Sequence, residues 1–324
     1  MNPSRWPSCF VRRRWHVGFF CALLVTSGLC VAEEKNVAQE EAVAAIQKMK
    51  GFVVTDKSRP GKPVTEVHLY AGKTAGIGLA PLEKLPEIEW IGLHDSDISE
   101  AELDHLKGLA KLRRLGLAHL KLDDASLKRI EVLTTIEILF LMENLITDAG
   151  LDHLRKMTKL KELGLGQTKV ADAGMERVAA FKELQTLGLQ ELKITDAGLE
   201  RLKALTKLQK LDLTHCNQVR NLKPLQGLPL VTLNLFGCRM VLDFSPLAGA
   251  PLTDLDLGGT QVADLSPLRG MKLAKLNLSQ TPVADLSPVG SCKDLKSLRL
   301  QGTKITAAEI AALQKALPDC KIEP

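Results

Sequence analysis

The stretch Leu160–Glu183, LKELGLGQTKVADAGMERVAAFKE, constrains the fold more than any other, because the chain repeats it. Leu160-x-x-Leu163-x-Leu165 is followed by a polar turn and a helix start at Ala171-Asp172-Ala173-Gly174, and Leu184-x-x-Leu187-x-Leu189 begins the unit again. Apolar residues at spacings of three and two turn inward on a short strand, and the remainder closes the layer. Taking the middle apolar residue of each unit gives Val67, Ile91, Leu115, Leu139, Leu163, Leu187, Leu211, Leu233, Leu255, Leu276 and Leu298. The step is 24 residues as far as Leu211, then 22, 22, 21 and 22. A further step of 22 lands on Cys320, so the C-terminus reads as a truncated twelfth coil that caps the far end.

Periodicity of this kind overrides the two-domain expectation that 324 residues would give. A solenoid grows by adding units that each bury a face on their neighbours. Each buried leucine contributes about 1.5–3 kcal/mol. Such a spine needs few aromatics, and only 4% of the residues are aromatic.

The first 32 residues differ from the rest. Arg12-Arg13-Arg14 precede an apolar run from Val17 to Leu29, then Cys30-Val31-Ala32 and Glu33-Glu34. A charged region, a short apolar core and a small-residue cleavage site make a signal peptide over 1–32. The run is shorter than the ~20 residues of a membrane-spanning helix. The chain is therefore expected to be exported, to the periplasm, cell surface or medium, with no stable membrane span after cleavage. The leader holds four arginines and no acid, so removing it takes the net charge from +5 to +1. That balance argues against nucleic acid as a partner. Cys216, Cys238, Cys292 and Cys320 remain; the repeat frame places three of them inside as reduced thiols, with Cys216–Cys238 the one pairing to test.

Residues 33–63 read as an N-terminal cap. A helix over Asn36–Lys50 carries Val43, Ile46 and Met49 on one stripe; a strand at Phe52–Thr55, a turn at Arg59-Pro60-Gly61 and a return strand at Val64–Tyr70 follow. The solenoid then runs over 64–316, with the last truncated repeat at 317–324. In the early repeats Thr147 and Thr195 suit helix N-caps, and Asp148 and Asp196 suit the positive helix end. The later units, such as Asp264-Leu265-Ser266-Pro267-Leu268, put Ser at the cap and Pro at the first helical position. Helices are thus expected on the convex side up to about residue 210 and thinner structure beyond, with a change of curvature.

These residues resemble the leucine-rich-repeat family. The early units are similar to its cysteine-containing and ribonuclease-inhibitor-like types, the D-L-S-P-L units to internalin repeats, and the cap to exported bacterial members. The resemblance covers roughly 64–324 and implies an α/β solenoid: a curved parallel sheet, with helices and then short turns on the convex side and a concave face that often binds protein. One departure concerns the position usually held by Asn. Here it is Ser96, Leu120, Asn144, Thr168, Leu192, Cys216, Cys238, Thr260, Thr281 and Thr303. Leu120 and Leu192 have no side-chain hydrogen bond to give, so their loops must be looser or satisfied from elsewhere.

Strand alternation exposes the residues between the leucines. Glu66, His68 and Tyr70, then Trp90, Gly92 and His94, then Arg114 and Gly116, then Ile138, Phe140 and Met142 fall on the concave side. Aromatics and arginine dominate binding hot spots, so Tyr70, Trp90, His94, Arg114, Phe140 and Met142 are the expected partner patch. Against it stand burial of Tyr70 and Trp90 by the cap, and Phe140 filling space over Gly116 and Gly164. Asp212, Asn234, Asp256 and Asn277 form a polar row on the later strands, an alternative site for a carbohydrate or an envelope component.

Catalysis finds little support. Asp254 and Asp256 lie ~7 Å apart on one face, a separation compatible with glycosidase carboxylates, but no pocket encloses them. His68, His94 and His119 drift diagonally over three strands and read as surface histidines. The sequence has no G-x-S-x-G, P-loop or C-x-x-C. The expectation is a monomeric, non-enzymatic scaffold for a protein partner, without cofactor or metal.

Overall fold

A computed structural model describes residues 37–70 and 77–324. The signal-peptide reading and the start of the predicted cap helix lie outside the described residues. Among the described residues thirteen strands form one sheet in chain order: β1 (Phe52–Thr55), β2 (Val64–Tyr70), β3 (Trp90–His94), β4 (Arg114–Ala118), β5 (Ile138–Phe140), β6 (Glu162–Gly164), β7 (Thr186–Gly188), β8 (Lys210–Asp212), β9 (Thr232–Asn234), β10 (Asp254–Asp256), β11 (Lys275–Asn277), β12 (Ser297–Arg299) and β13 (Lys321–Glu323). Only β1 and β2 are antiparallel; every later pair is parallel.

The predicted rungs pair directly. Val67 faces Ile91, Leu163 faces Leu187, Leu187 faces Leu211 and Leu276 faces Leu298. Leu163, Leu187 and Leu211 are at most 1% exposed. At the near end, helix α1 (37–48) lays Ala42, Ile46 and the following Met49 on the first coil. At the far end the frame differs from the expectation. Leu298 pairs with Ile322 and not with a residue at 320, because helix α5 (Ala307–Ala316) lengthens the last step to 24. Thr306 caps α5 by accepting from the Glu309 N–H, and Glu309 reaches back to the Thr306 N–H.

The convex side is less uniform than predicted. Helices α2 (Asp124–Ile130), α3 (Asp172–Val178) and α4 (Asp196–Arg201) occur before residue 210, but 3₁₀ segments take their place at Ala80–Lys84, Glu100–Leu106 and Gly150–Leu154. The 22-residue coils carry three-residue 3₁₀ turns, as at Ser245–Leu247 and Ser266–Leu268. Helix α5 is the exception to thinning beyond residue 210.

Two devices hold the coils. In the early half, from Asp124 on, an aspartate at the start of each convex segment reaches into the next coil. Asp124 accepts from the Thr147 N–H (2.8 Å) and hydroxyl (2.6 Å), Asp148 from the N–H groups of Ala171 and Gly174, and Asp172 from the Thr195 N–H (2.7 Å) and hydroxyl (2.6 Å). The D-A-G motif follows from this clasp. A Cβ on Gly150, Gly174 or Gly198 would lie 2.2–2.5 Å from the carboxylate oxygen of the preceding coil, so only glycine fits. Thr195 caps α4 as expected, whereas Thr147 accepts from the Ala149 N–H ahead of a 3₁₀ segment. In the late half Ser is not the cap: Phe244 and Leu265 hold that position without a side-chain bond, and the aspartate before each closes a turn. Asp243, Asp264 and Asp285 accept the N–H of Ser245, Ser266 and Ser287, each within its own coil. Ser245 and Ser266, each before a proline, are themselves the first 3₁₀ residues, whereas after Ser287 the 3₁₀ segment is Val289–Ser291.

At Leu120, Cys216 and Cys238 the Asn-position departures are satisfied across coils, whereas Thr168, Thr260, Thr281 and Thr303 each donate to the carbonyl three residues back. Buried Asn144 accepts from the Leu120 and Leu122 N–H groups (3.2 and 2.9 Å) and donates to the Leu117 and Leu141 carbonyls (2.6 and 2.9 Å). One asparagine thus closes its own turn and that of Leu120. The thiols of Cys216 and Cys238 donate to the Leu189 and Leu213 carbonyls. Both are buried and unpaired, and burial pushes their pKa up to about 12. They act as small core donors.

Candidate functional site

The concave wall is built in rows that follow from strand register. The first row, one residue before each central leucine, runs Glu66, Trp90, Arg114, Ile138, Glu162, Thr186, Lys210, Thr232 and Asp254. The second, one residue after, runs His68, Gly92, Gly116, Phe140, Gly164, Gly188, Asp212, Asn234, Asp256 and Asn277. Two residues further along lie Tyr70, His94 and Met142.

At the N-terminal end these rows make one aromatic cluster. His68 stacks on Phe52 (centroids 4.6 Å apart) and meets the Trp90 edge at 4.5 Å. Its Nδ1 lies 2.9 Å from the Tyr70 hydroxyl, and Tyr70 stacks on His94 at 5.3 Å. The Arg114 guanidinium lies 3.7 Å above the Trp90 ring, a cation–π contact. The cap does not cover the patch: Tyr70 is 42% exposed, and Phe52 adds a further exposed ring. Phe52 is missing from the expected set, although its place opposite His68 follows once β1 is known to pair with β2. His68 corrects the reading of surface histidines. It is 2% exposed, because Gly92 on the next strand leaves room for its ring. Burial lowers the His94 pKa, neighbouring His119 and His68 add to this, and Asp95 opposes it. His119 stands apart, between Asp95 and Glu143.

Phe140 and Met142 lie further along, half-buried. Both lean over Gly164, as expected for Phe140, but Gly116 is covered by His94. Beyond them the absence of side chains on Gly164 and Gly188 leaves a hollow of about 310 Å³. Its walls are Phe140, Met142, Gln190 and Lys210, and Asp212 and Asn234 close it. The structure therefore brings Phe140 and Met142 of the expected patch together with Asp212 and Asn234 of the polar row, while Tyr70, Trp90, His94 and Arg114 stay in the N-terminal cluster. The glycines on successive coils were the sequence signal for the hollow.

The polar row is largely engaged with itself. Asp212, Asn234, Asp256 and Asn277 each accept a backbone N–H two residues on, from Thr214, Phe236, Gly258 and Ser279. Asn277 also donates to both Asp256 oxygens, and Gln190 to Asp212. These side chains terminate the short strands. Asp254 bonds with the Thr253 hydroxyl and Lys275, which outweigh its burial and lower its pKa. A glycosidase acid needs the opposite shift.

Comparison with known proteins agrees with this geometry. Residues 182–227 match two copies of the leucine-rich repeat. The chain has the leucine-rich-repeat fold. No curated protein matches the chain. Among solved structures, an internalin from Listeria monocytogenes is 24% identical, with a TM-score of 0.64 over 89% of this chain and 87% of that one. The mouse RP105/MD-1 complex contains a chain 20% identical (TM-score 0.58; 80% of this chain, 45% of that one), and a TLR13–ssRNA13 complex one 23% identical (0.51; 74% and 39%). These likenesses establish the leucine-rich-repeat fold, with internalin-like coils. No helix among the described residues is long and apolar enough to cross a membrane.

Proposed function

We propose that this leucine-rich-repeat protein is an exported, non-enzymatic scaffold that binds a protein partner on its concave wall. The observation that carries the reading is the continuous surface from Tyr70 and Trp90 through Arg114 to Phe140, Met142 and the hollow beyond them. Rings and a guanidinium held by stacking on a rigid sheet lose little entropy on binding, the property of interface anchors. Export rests on the Arg12–Arg14 segment and the apolar run behind it. The protein complex named for the RP105/MD-1 structure is in keeping with a protein-binding role.

Affinity capture from the native cell envelope tests it. Wild-type protein retains its partner, and Trp90→Ala or Phe140→Ala loses it while the thermal midpoint stays close to wild type. Undiminished capture by both variants would place the binding surface elsewhere.

A further inference from the structure

Along the first concave row the charges alternate in sign on every second strand. Glu66 on β2 is followed by Arg114 on β4, Glu162 on β6, Lys210 on β8 and Asp254 on β10, with Trp90, Ile138, Thr186 and Thr232 on the strands between. The two end members are engaged within the protein, Glu66 with His68 and Asp254 with Lys275. The three central members form no salt bridge among the described residues. Arg114 rests on Trp90 alone, and its Nε is buried without a hydrogen-bond partner. Two strand spacings separate successive members, about 9.6 Å, too far for them to pair with one another.

That spacing matches one backbone conformation of a ligand. A polyproline II chain advances about 9.3 Å per three residues and returns every third side chain to the same face. An extended β-strand puts third neighbours on opposite faces. We propose that the wall takes an extended, proline-rich segment of a protein partner, laid along the solenoid, reading acid-x-x-base-x-x-acid. Its carboxylates lie over Arg114 and Lys210, and its basic side chain over Glu162. The intervening residues rest on Phe140 and Met142 and over the hollow. This rests on the scaffold reading and adds the chemistry and direction of the ligand.

Fluorescence anisotropy with two labelled synthetic peptides tests it. One is Asp-Pro-Pro-Arg-Pro-Pro-Asp; the other carries the inverted charges, Arg-Pro-Pro-Asp-Pro-Pro-Arg. Three solvent-facing pairs together amount to about a tenfold preference of the full chain for the first peptide, shrinking with added salt. The triple variant Arg114→Glu/Glu162→Lys/Lys210→Glu reverses the preference. Glu162→Lys/Lys210→Glu, which leaves the Trp90–Arg114 stack in place and inverts two of the three pairs, turns it into a weak preference for the second peptide. Equal binding of the two peptides, a preference unmoved by charge inversion, or no binding of either at millimolar concentration overturns the proposal. Partner capture that depends on Trp90 but survives the triple variant also overturns it and leaves the scaffold reading intact. Capture that ignores Trp90 removes the scaffold reading itself.

Discussion

The early and late halves of the solenoid share a leucine spine and differ in how one coil holds the next. From Asp124 to Asp196 each aspartate leaves its own coil and bonds backbone in the following one. From Asp243 to Asp285 each aspartate closes a turn within its own coil. The difference goes with the coil that supplies the aspartate: those of the 24-residue coils reach forward, and Asp196 still bonds the Arg220 and Asn221 N–H groups of the first 22-residue coil. A shorter coil makes a three-residue turn, and proline removes one of its donors. The hollow lies over the clasped coils, whereas the aromatic cluster lies on the coils before them.

Leu163→Ala is the largest perturbation of that half. It removes spine packing between Leu139 and Leu187 and costs about 2–5 kcal/mol, read as a lower midpoint in urea. Next comes Gly174→Ala. The new Cβ meets the Asp148 oxygen at 2.5 Å and Val170 at 2.6 Å, so the clasp must open, at about 1–3 kcal/mol. Gly270 provides the control. Its φ of +70° makes alanine strained, but nothing lies within 4 Å, so Gly270→Ala costs about 1 kcal/mol. A Gly174→Ala penalty no larger than that would show that the clasp is not under steric constraint.

Removing the aspartates separates the halves further. Asp172→Ala strips the partners from the Thr195 N–H and hydroxyl and is expected to cost about 1–3 kcal/mol. Asp264→Ala loses the bond that closes a local turn, about 0.5–2 kcal/mol. Equal losses would erase the distinction.

The smallest effect is a pH dependence confined to the early half. His94 has a lowered pKa because of its burial, so the unfolded chain binds the proton more readily. Stability from this group is complete above the unfolded value near 6.5 and declines as pH falls toward the folded value. A pH series of thermal melts for His94→Gln is expected to show a shallower loss below pH 6.5 than wild type. An unchanged slope would assign the loss to other groups.

The spine was legible because burial imposes a period that leucine must keep; ten of the eleven steps between rungs, ending at Leu298, pair as read, and the last does so with Ile322. Helix α5 escaped because its step was taken from the preceding short coils, although Thr306 and Glu309 spell a capping box. The clasp escaped because Asp172 acts on Thr195, 23 residues away, and periodicity shows both without showing that they meet. For the wall, alternation placed Tyr70, Trp90 and Arg114 on the correct face. It did not show that His68 is buried, since that depends on a missing side chain at Gly92. Asp212 and Asn234 looked free because their backbone partners lie in a turn whose shape the sequence does not print.

Hydrogen–deuterium exchange on the full chain tests the division between the halves most directly. Asp172→Ala is predicted to speed exchange both in its own coil and in the next, around Thr195 and α4, whereas Asp264→Ala speeds it only around Ser266. Exchange that stays within residues 160–183 in Asp172→Ala, or that spreads as far in Asp264→Ala, would contradict the account.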